Sequence, residues 1–229
     1  MFYFDWSYMM CILLPTLILS FGVQMYLKST YGKWSQVRNS ENLTGDQVAQ
    51  VLFQRASVQQ IPLQGVRGSM TDHFDPGANV VRLSETTVKS PSVASMAIAA
   101  HELGHVQQYQ TGSALIKARG ALLPALRFSP TVSYISIMLG FIFNMTSLIW
   151  VGILFFSLMV LFSLLTLPVE FDASKRGLAL LTEAGLMQTE EDRVGARKVL
   201  TAAGLTYLAA AVTSILQLLW YISIAQRRR

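Results

Sequence analysis

Four long stretches of this chain carry no charge, and that limits the fold more than any other feature. Tyr8 to Leu27, Leu148 to Leu167 and Leu205 to Ile224 are each about the length a helix needs to cross a bilayer. Pro130 to Met145 is shorter and needs part of 121–129, with Arg127, to reach across. Apolar residues make up 52% of the chain and charged residues 14%, so a mainly α membrane protein with about four transmembrane helices is expected. The first stretch lacks a basic leader, and no small-residue cleavage site follows Tyr26, so it reads as an uncleaved anchor. Asn144 to Ser147 is short enough to join the second and third spans as a helical hairpin.

Lysine and arginine set the orientation, because positively charged flanks stay on the cytoplasmic side. Lys28, Lys33 and Arg38 follow the first span, Lys117 and Arg119 precede the second, and Lys175 and Arg176 follow the third. This places the amino terminus outside, with 28–120 and 168–200 inside. Arg227, Arg228 and Arg229 conflict with a single last crossing from the inside: either that span is re-entrant or interfacial, or the rule is outvoted. The net charge of +5 reads as membrane topology and attraction to anionic lipid, and no basic stripe with interleaved aromatics points to nucleic acid. The single cysteine, Cys11, excludes an intrachain disulfide and suits a reducing compartment.

Between the first two spans lies His101-Glu102-Leu103-Gly104-His105, the HExxH pattern, which holds two of the three histidines in the chain. Histidines four apart share one helix face, so both imidazoles reach a single metal ion with little strain. Glu102 is set round from them and reaches a water on the metal, from which it can take a proton and pass it on. Ser90 can cap a helix that starts at Pro91 and runs to Gln110, placing the motif well inside it.

Upstream, Thr44 followed by Gln47 forms a capping box opening a helix to about Ala56, with Val48, Val51 and Leu52 on one face. Extended segments are expected at 61–66, 69–74 and 78–84, the last two paired through the turn Asp75-Pro76-Gly77. Helix, small antiparallel sheet and HExxH helix together predict a small α+β zincin-like catalytic domain. Ser174 to Leu181 and Thr189 to Ala202 read as two further helices around Ala184-Gly185.

A hydrolytic zinc site wants a third protein ligand and an open fourth position. Glu170 stands just past the third span, where Pro168 can begin a new helix. From spacing alone Glu170 is either that ligand or an interfacial carboxylate paired with Lys175 or Arg176. His73 is the other candidate ligand.

His101-Glu-Leu-Gly-His105, Asp72-His-Phe-Asp-Pro76 with Arg82-Leu-Ser84, and Glu170-Phe-Asp-Ala-Ser174 together resemble the YugP-like neutral zinc metallopeptidases of bacterial membranes. The resemblance implies a gluzincin in which His101, His105 and Glu170 hold Zn2+ and Glu102 is the general base. More distantly the chain is similar to HtpX-type membrane peptidases, whose second motif is Glu-x-x-x-Asp with an aspartate that orients a zinc-bound histidine. Here Ser174 stands in that place, so either Ser174 or Asp172 has this work; on a helix 174 shares the face of 170, which favours Ser174. The same likeness sets Asp72-His73-Phe74 as an edge strand on which an extended substrate could pair, with His73 at the substrate or the oxyanion.

These readings divide the chain into a 1–27 anchor, a 28–120 cytoplasmic catalytic domain, a 121–167 transmembrane hairpin, a 168–204 third-ligand segment with helices, and a 205–229 last span with basic tail. The function expected is a zinc-dependent endopeptidase of the bacterial plasma membrane, facing the cytoplasm. Its substrate would be a peptide or protein, membrane-bound or surface-exposed, with a role in membrane-protein quality control. The sequence does not set an oligomeric state. An intramembrane protease fits less well, since Gln107, Gln108, Gln110 and Lys117 mark a surface-lying motif helix. A membrane scaffold or chaperone with a non-catalytic metal clip is the other class, though structural zinc sites usually close with four protein ligands, often cysteines.

Overall fold

The computed structural model describes residues 6–228; residues 1–5, where the expected anchor begins, and Arg229 of the basic tail lie outside the described residues. The elements in chain order are α1 (Trp6–Trp34), α2 (Gly45–Arg55), β1 (Leu63–Val66), β2 (His73–Asp75), β3 (Val80–Ser84) and α3 (Glu85–Lys89). There follow α4 (Val93–Gln110), α5 (Ala114–Leu126), α6 (Ser129–Ile142), α7 (Thr146–Glu183) and α8 (Glu190–Arg227). The protein is thus mostly helical with one small sheet. Helices α1, α7 and α8 are long and apolar enough to cross a membrane, and α5 with α6, bent by 49°, make a fourth crossing only if the pair is one span.

The chain divides into two compact units. One comprises the described residues up to Val23 with Lys117–Pro168 and 206–228. Within it the hydroxyl of Tyr8 donates to Gln217 Oε1 at 3.1 Å, and its ring packs on Trp220, tying α1 to α8. Helices α6 and α7 touch backbone to side chain: a Cβ on Gly140 would stand 2.9 Å from the Ile149 nitrogen, and one on Gly152 2.9 Å from the Ser133 carbonyl oxygen. Their connection turns at Asn144, whose φ of 53° is a left-handed value that asparagine tolerates. The Arg228 guanidinium lies over the Phe141 ring and donates to Asn144 Oδ1.

The other unit comprises Gln24–Ile116 and Val169–Leu205. Its core surrounds α4, whose Ala94, Ala97, Ala99, Ala100 and Leu103 have no solvent exposure. Small residues let neighbouring backbones come close, and Leu52 of α2, Leu83 of β3 and Leu180 and Leu181 of α7 fill the space around them. Thr44 and Gln47 form the expected capping box of α2. Thr189 and Asp192 bond reciprocally ahead of α8, and buried Asp192 also accepts from the Ser40 backbone.

Several expectations are corrected. The sheet is mixed, in the order β1-β3-β2: β2 pairs antiparallel with β3 through the expected hairpin, but β1 pairs with β3 in parallel. Residue alternation is the same in either direction, so the sequence pattern could not separate them. Helix α4 begins two residues later than expected, at Val93 with Ser92 as its cap. Asn39 donates to the Pro91 carbonyl and Val93 to the Val37 carbonyl, which holds 91–92 extended. Pro168 does not start a helix but sits inside α7, a position apolar helices tolerate despite the missing donor. The helix expected over Thr189–Ala202 and the last span are one helix, Glu190–Arg227, within which a Cβ on Gly204 would stand 3.0 Å from the Phe171 ring.

Candidate metal centre

Helix α4 presents His101 and His105 on one face, and α7 crosses it with Glu170 opposite. Glu170 Oε2 lies 3.3 Å from His101 Nε2 and 3.5 Å from His105 Nε2. The carboxylate is nearly sealed, with a side chain 4% exposed, while the two imidazoles are 14% and 12% exposed. One donor atom from each residue lies within 4.8 Å of the others, the arrangement of a group able to hold a metal ion. The crossing needs glycine on both helices. A Cβ on Gly104 would run into the Ala173 carbonyl oxygen, and one on Gly177 would stand 2.7 Å from the Ala100 carbonyl oxygen.

The two donor separations that involve Glu170 suit a tetrahedral ion. With bonds of 2.0–2.1 Å the donors of a tetrahedral zinc site stand about 3.3–3.5 Å apart, the separations found between Glu170 and each histidine. Two imidazole nitrogens and one carboxylate oxygen are also a donor set that zinc accepts, and three protein donors leave a fourth position for a reactant.

Both rings are held from behind. Ser174 Oγ is 3.1 Å from His101 Nδ1, and Gln108 Oε1 is 3.0 Å from His105 Nδ1. Asp172 does not reach a histidine directly; it accepts from Gln108 Nε2 at 2.7 Å and from Arg176 Nε at 2.7 Å. The two sequence candidates for an orienting partner are therefore both used, on different rings. Gln108, expected to mark a surface-lying helix, is instead fully buried and turned to His105, its neighbour three positions back on the helix.

Glu102 is buried beside this cluster at 7% exposure. Burial raises its pKa above the ordinary carboxylate value; the two histidines oppose the shift, while Asp72 and Glu170 add to it. Asp72 is fixed by Ser84, whose backbone nitrogen and hydroxyl both donate to it. His73 stands apart from the cluster on β2: its side chain is exposed and its Nδ1 is 2.9 Å from the Thr71 carbonyl oxygen. Strand β2 is an edge of the sheet and meets α4 through the Phe74 and Tyr109 rings.

Burial pushes the Glu170 pKa up, but hydrogen bonds from both imidazoles outweigh it and hold the carboxyl well below its ordinary 4.5. Burial pulls His105 down, and Glu170 and Glu102 overcome this, leaving it above its ordinary 6.5. In protein stripped of metal, the depressed Glu170 stabilises the fold above 4.5 and loses that effect as pH falls through its folded value. The raised His105 stabilises below 6.5 and loses its effect as pH rises through its folded value. Metal requires the imidazoles unprotonated, so its stabilisation runs the other way. The rise in melting temperature on adding Zn2+ should therefore grow from about pH 6 to about pH 8; an equal rise across that range would contradict this assignment of charges.

Comparison with known proteins agrees with the geometry. Residues 9–226 match the profile of a family described as "Putative neutral zinc metallopeptidase". The chain is 37% identical over 206 residues, 90% of its own length and 91% of the relative's, to a Bacillus subtilis (strain 168) protein named "Putative membrane protease YugP". No solved structure matches the chain.

Proposed function

Since the chain belongs to the family described as putative neutral zinc metallopeptidases, we propose that it is a membrane-bound zinc endopeptidase of the HExxH gluzincin type. The observation that carries this reading is the placement of Glu170 at zinc-edge distances from both histidines of HExxH.

His101, His105 and Glu170 would hold the ion, which when bound supplies a Lewis acid that acidifies water and polarises a peptide carbonyl. Glu102 takes the proton of the attacking water and returns it to the leaving amine. Burial, which raises its pKa above the ordinary carboxylate value, makes it a stronger base for that proton. Ser174 and Gln108 keep the imidazole rings aimed. An extended peptide can add to the edge of β2 by backbone hydrogen bonds, which brings it beside His73.

The lysine and arginine flanks support a cytoplasmic position for 28–120 and 168–200 at a bacterial plasma membrane. The unbroken α8 and the contact of Arg228 with Asn144 support a single last crossing, with the tail beside the α6–α7 turn and both outside. The substrates this favours are membrane-associated proteins, as in membrane-protein quality control.

The test is metal content and cleavage of unfolded casein by the protein purified in detergent. About one zinc per chain is expected, with cleavage lost to a chelator and restored by zinc. Bound zinc without cleavage of casein or of membrane-protein substrates would turn the assignment toward a scaffold with a metal clip.

A further inference from the structure

Gln108 has no solvent exposure, yet all three polar positions of its amide that the contacts define are used. Its nitrogen lies 2.9 Å from the Val169 carbonyl oxygen and 2.7 Å from Asp172 Oδ2. Both of those atoms only accept, so both amide hydrogens are committed and the Gln108 oxygen must be the atom that faces His105. An oxygen acceptor 3.0 Å from Nδ1 needs a hydrogen on Nδ1. Whenever the ring is neutral, as metal binding requires, the lone pair is then on Nε2, the atom that faces Glu170 and the metal position.

The arrangement continues outward. Arg176 Nε donates to the same Asp172 oxygen at 2.7 Å, and its Nη1 donates to Gln107 Oε1 at 3.2 Å. Gln107 in turn donates from Nε2 to the Ser57 carbonyl oxygen at 2.9 Å. The donors converge on Asp172: His105 donates to Gln108 and Gln108 to Asp172 from one side, and Arg176 donates to the same carboxylate from the other. The other ring differs: Ser174 has a hydroxyl, which can donate or accept, so it aims His101 without fixing its tautomer.

We propose that Gln108, Asp172 and Arg176 are positioning residues that lock His105 in its Nδ1–H form and strengthen its Nε2 as a metal donor. The mechanism is electrostatic. A carboxylate accepting from the Gln108 nitrogen draws electron density toward the Gln108 oxygen, which makes it a better acceptor for the imidazole N–H. The proposal rests on the metal-site reading above and adds what sets the strength of one ligand.

The experiment uses the full chain in detergent, with Co2+ as probe, read by its visible absorption and by competition with a chelator. Wild type should take up one Co2+. Gln108→Leu should bind it about 10–100-fold more weakly. Asp172→Asn keeps the shape of a partly exposed side chain; it should weaken binding several-fold and shift the Co2+ absorption bands, with the melting temperature of the metal-free protein unchanged. Wild-type affinity and spectrum in both variants would overturn the proposal, as would affinity losses that only follow a fall in metal-free melting temperature. Failure of the wild type to bind Co2+ or Zn2+ would instead overturn the metal site itself.

Discussion

Replacing Glu102 by glutamine should lower peptide hydrolysis by a factor of roughly 10²–10⁴ while leaving zinc binding intact. The substitution keeps the shape and removes only the ability to take a proton. Stability should move in the opposite direction from activity. A carboxyl whose folded pKa is raised above its ordinary 4.5 disfavours the folded state once pH exceeds that value, because the buried form resists ionising. Glutamine has no charge to bury, so the melting temperature of Glu102→Gln at neutral pH should equal or exceed that of wild type. An inactive variant that is no less stable and still holds zinc identifies the missing proton carrier. A variant that keeps more than about a tenth of wild-type activity would remove Glu102 from the mechanism.

The second large effect lies where two backbones meet. Gly177→Ala should destabilise the fold by about 1–3 kcal/mol, the usual cost of overfilling a packed contact. The sign is informative, because glycine to alanine inside a helix normally stabilises by about 1 kcal/mol. Here the added carbon would stand 2.7 Å from the Ala100 carbonyl oxygen and 3.0 Å from the His101 nitrogen, and neither backbone atom can rotate away. Relief requires α7 to back off α4, carrying Glu170 and Ser174 from His101, so zinc affinity should fall roughly tenfold or more. Gly32→Ala is the control, since nothing stands within 4 Å of its added carbon. Equal melting temperatures and zinc affinities for the two variants would show that the crossing is looser than its geometry implies.

Much of the metal centre was legible because its signals are local. HExxH spacing is a property of one helix turn, capping at Thr44 and Thr189 involves residues three apart, and the Asp75-Pro76-Gly77 turn closes over a few atoms. Glu170 was a candidate from its place after an apolar run, but spacing left it between ligand and surface ion pair. Only the helix crossing brings it to the histidines. The rest depended on distant partners. The parallel pairing of Leu63 with Val81, the extended Pro91 held by Asn39, and the use of Asp172 through Gln108 each join segments that no sequence window contains together. Proline misled as well: Pro168 reads as a helix start in sequence, but it lies inside one unbroken helix.

The unit that contains His101, His105 and Glu170 is written in the gene in two pieces, with 117–168 between them. A ribosome making this chain releases both histidines long before the glutamate exists, and the apolar 148–167 stretch must be made in the interval. A trimmed version ending near Ile116 would carry two donors and no third. Assembly of the cluster is thus a late event in the life of each molecule, and a nascent chain made no further than 168 has no complete donor set.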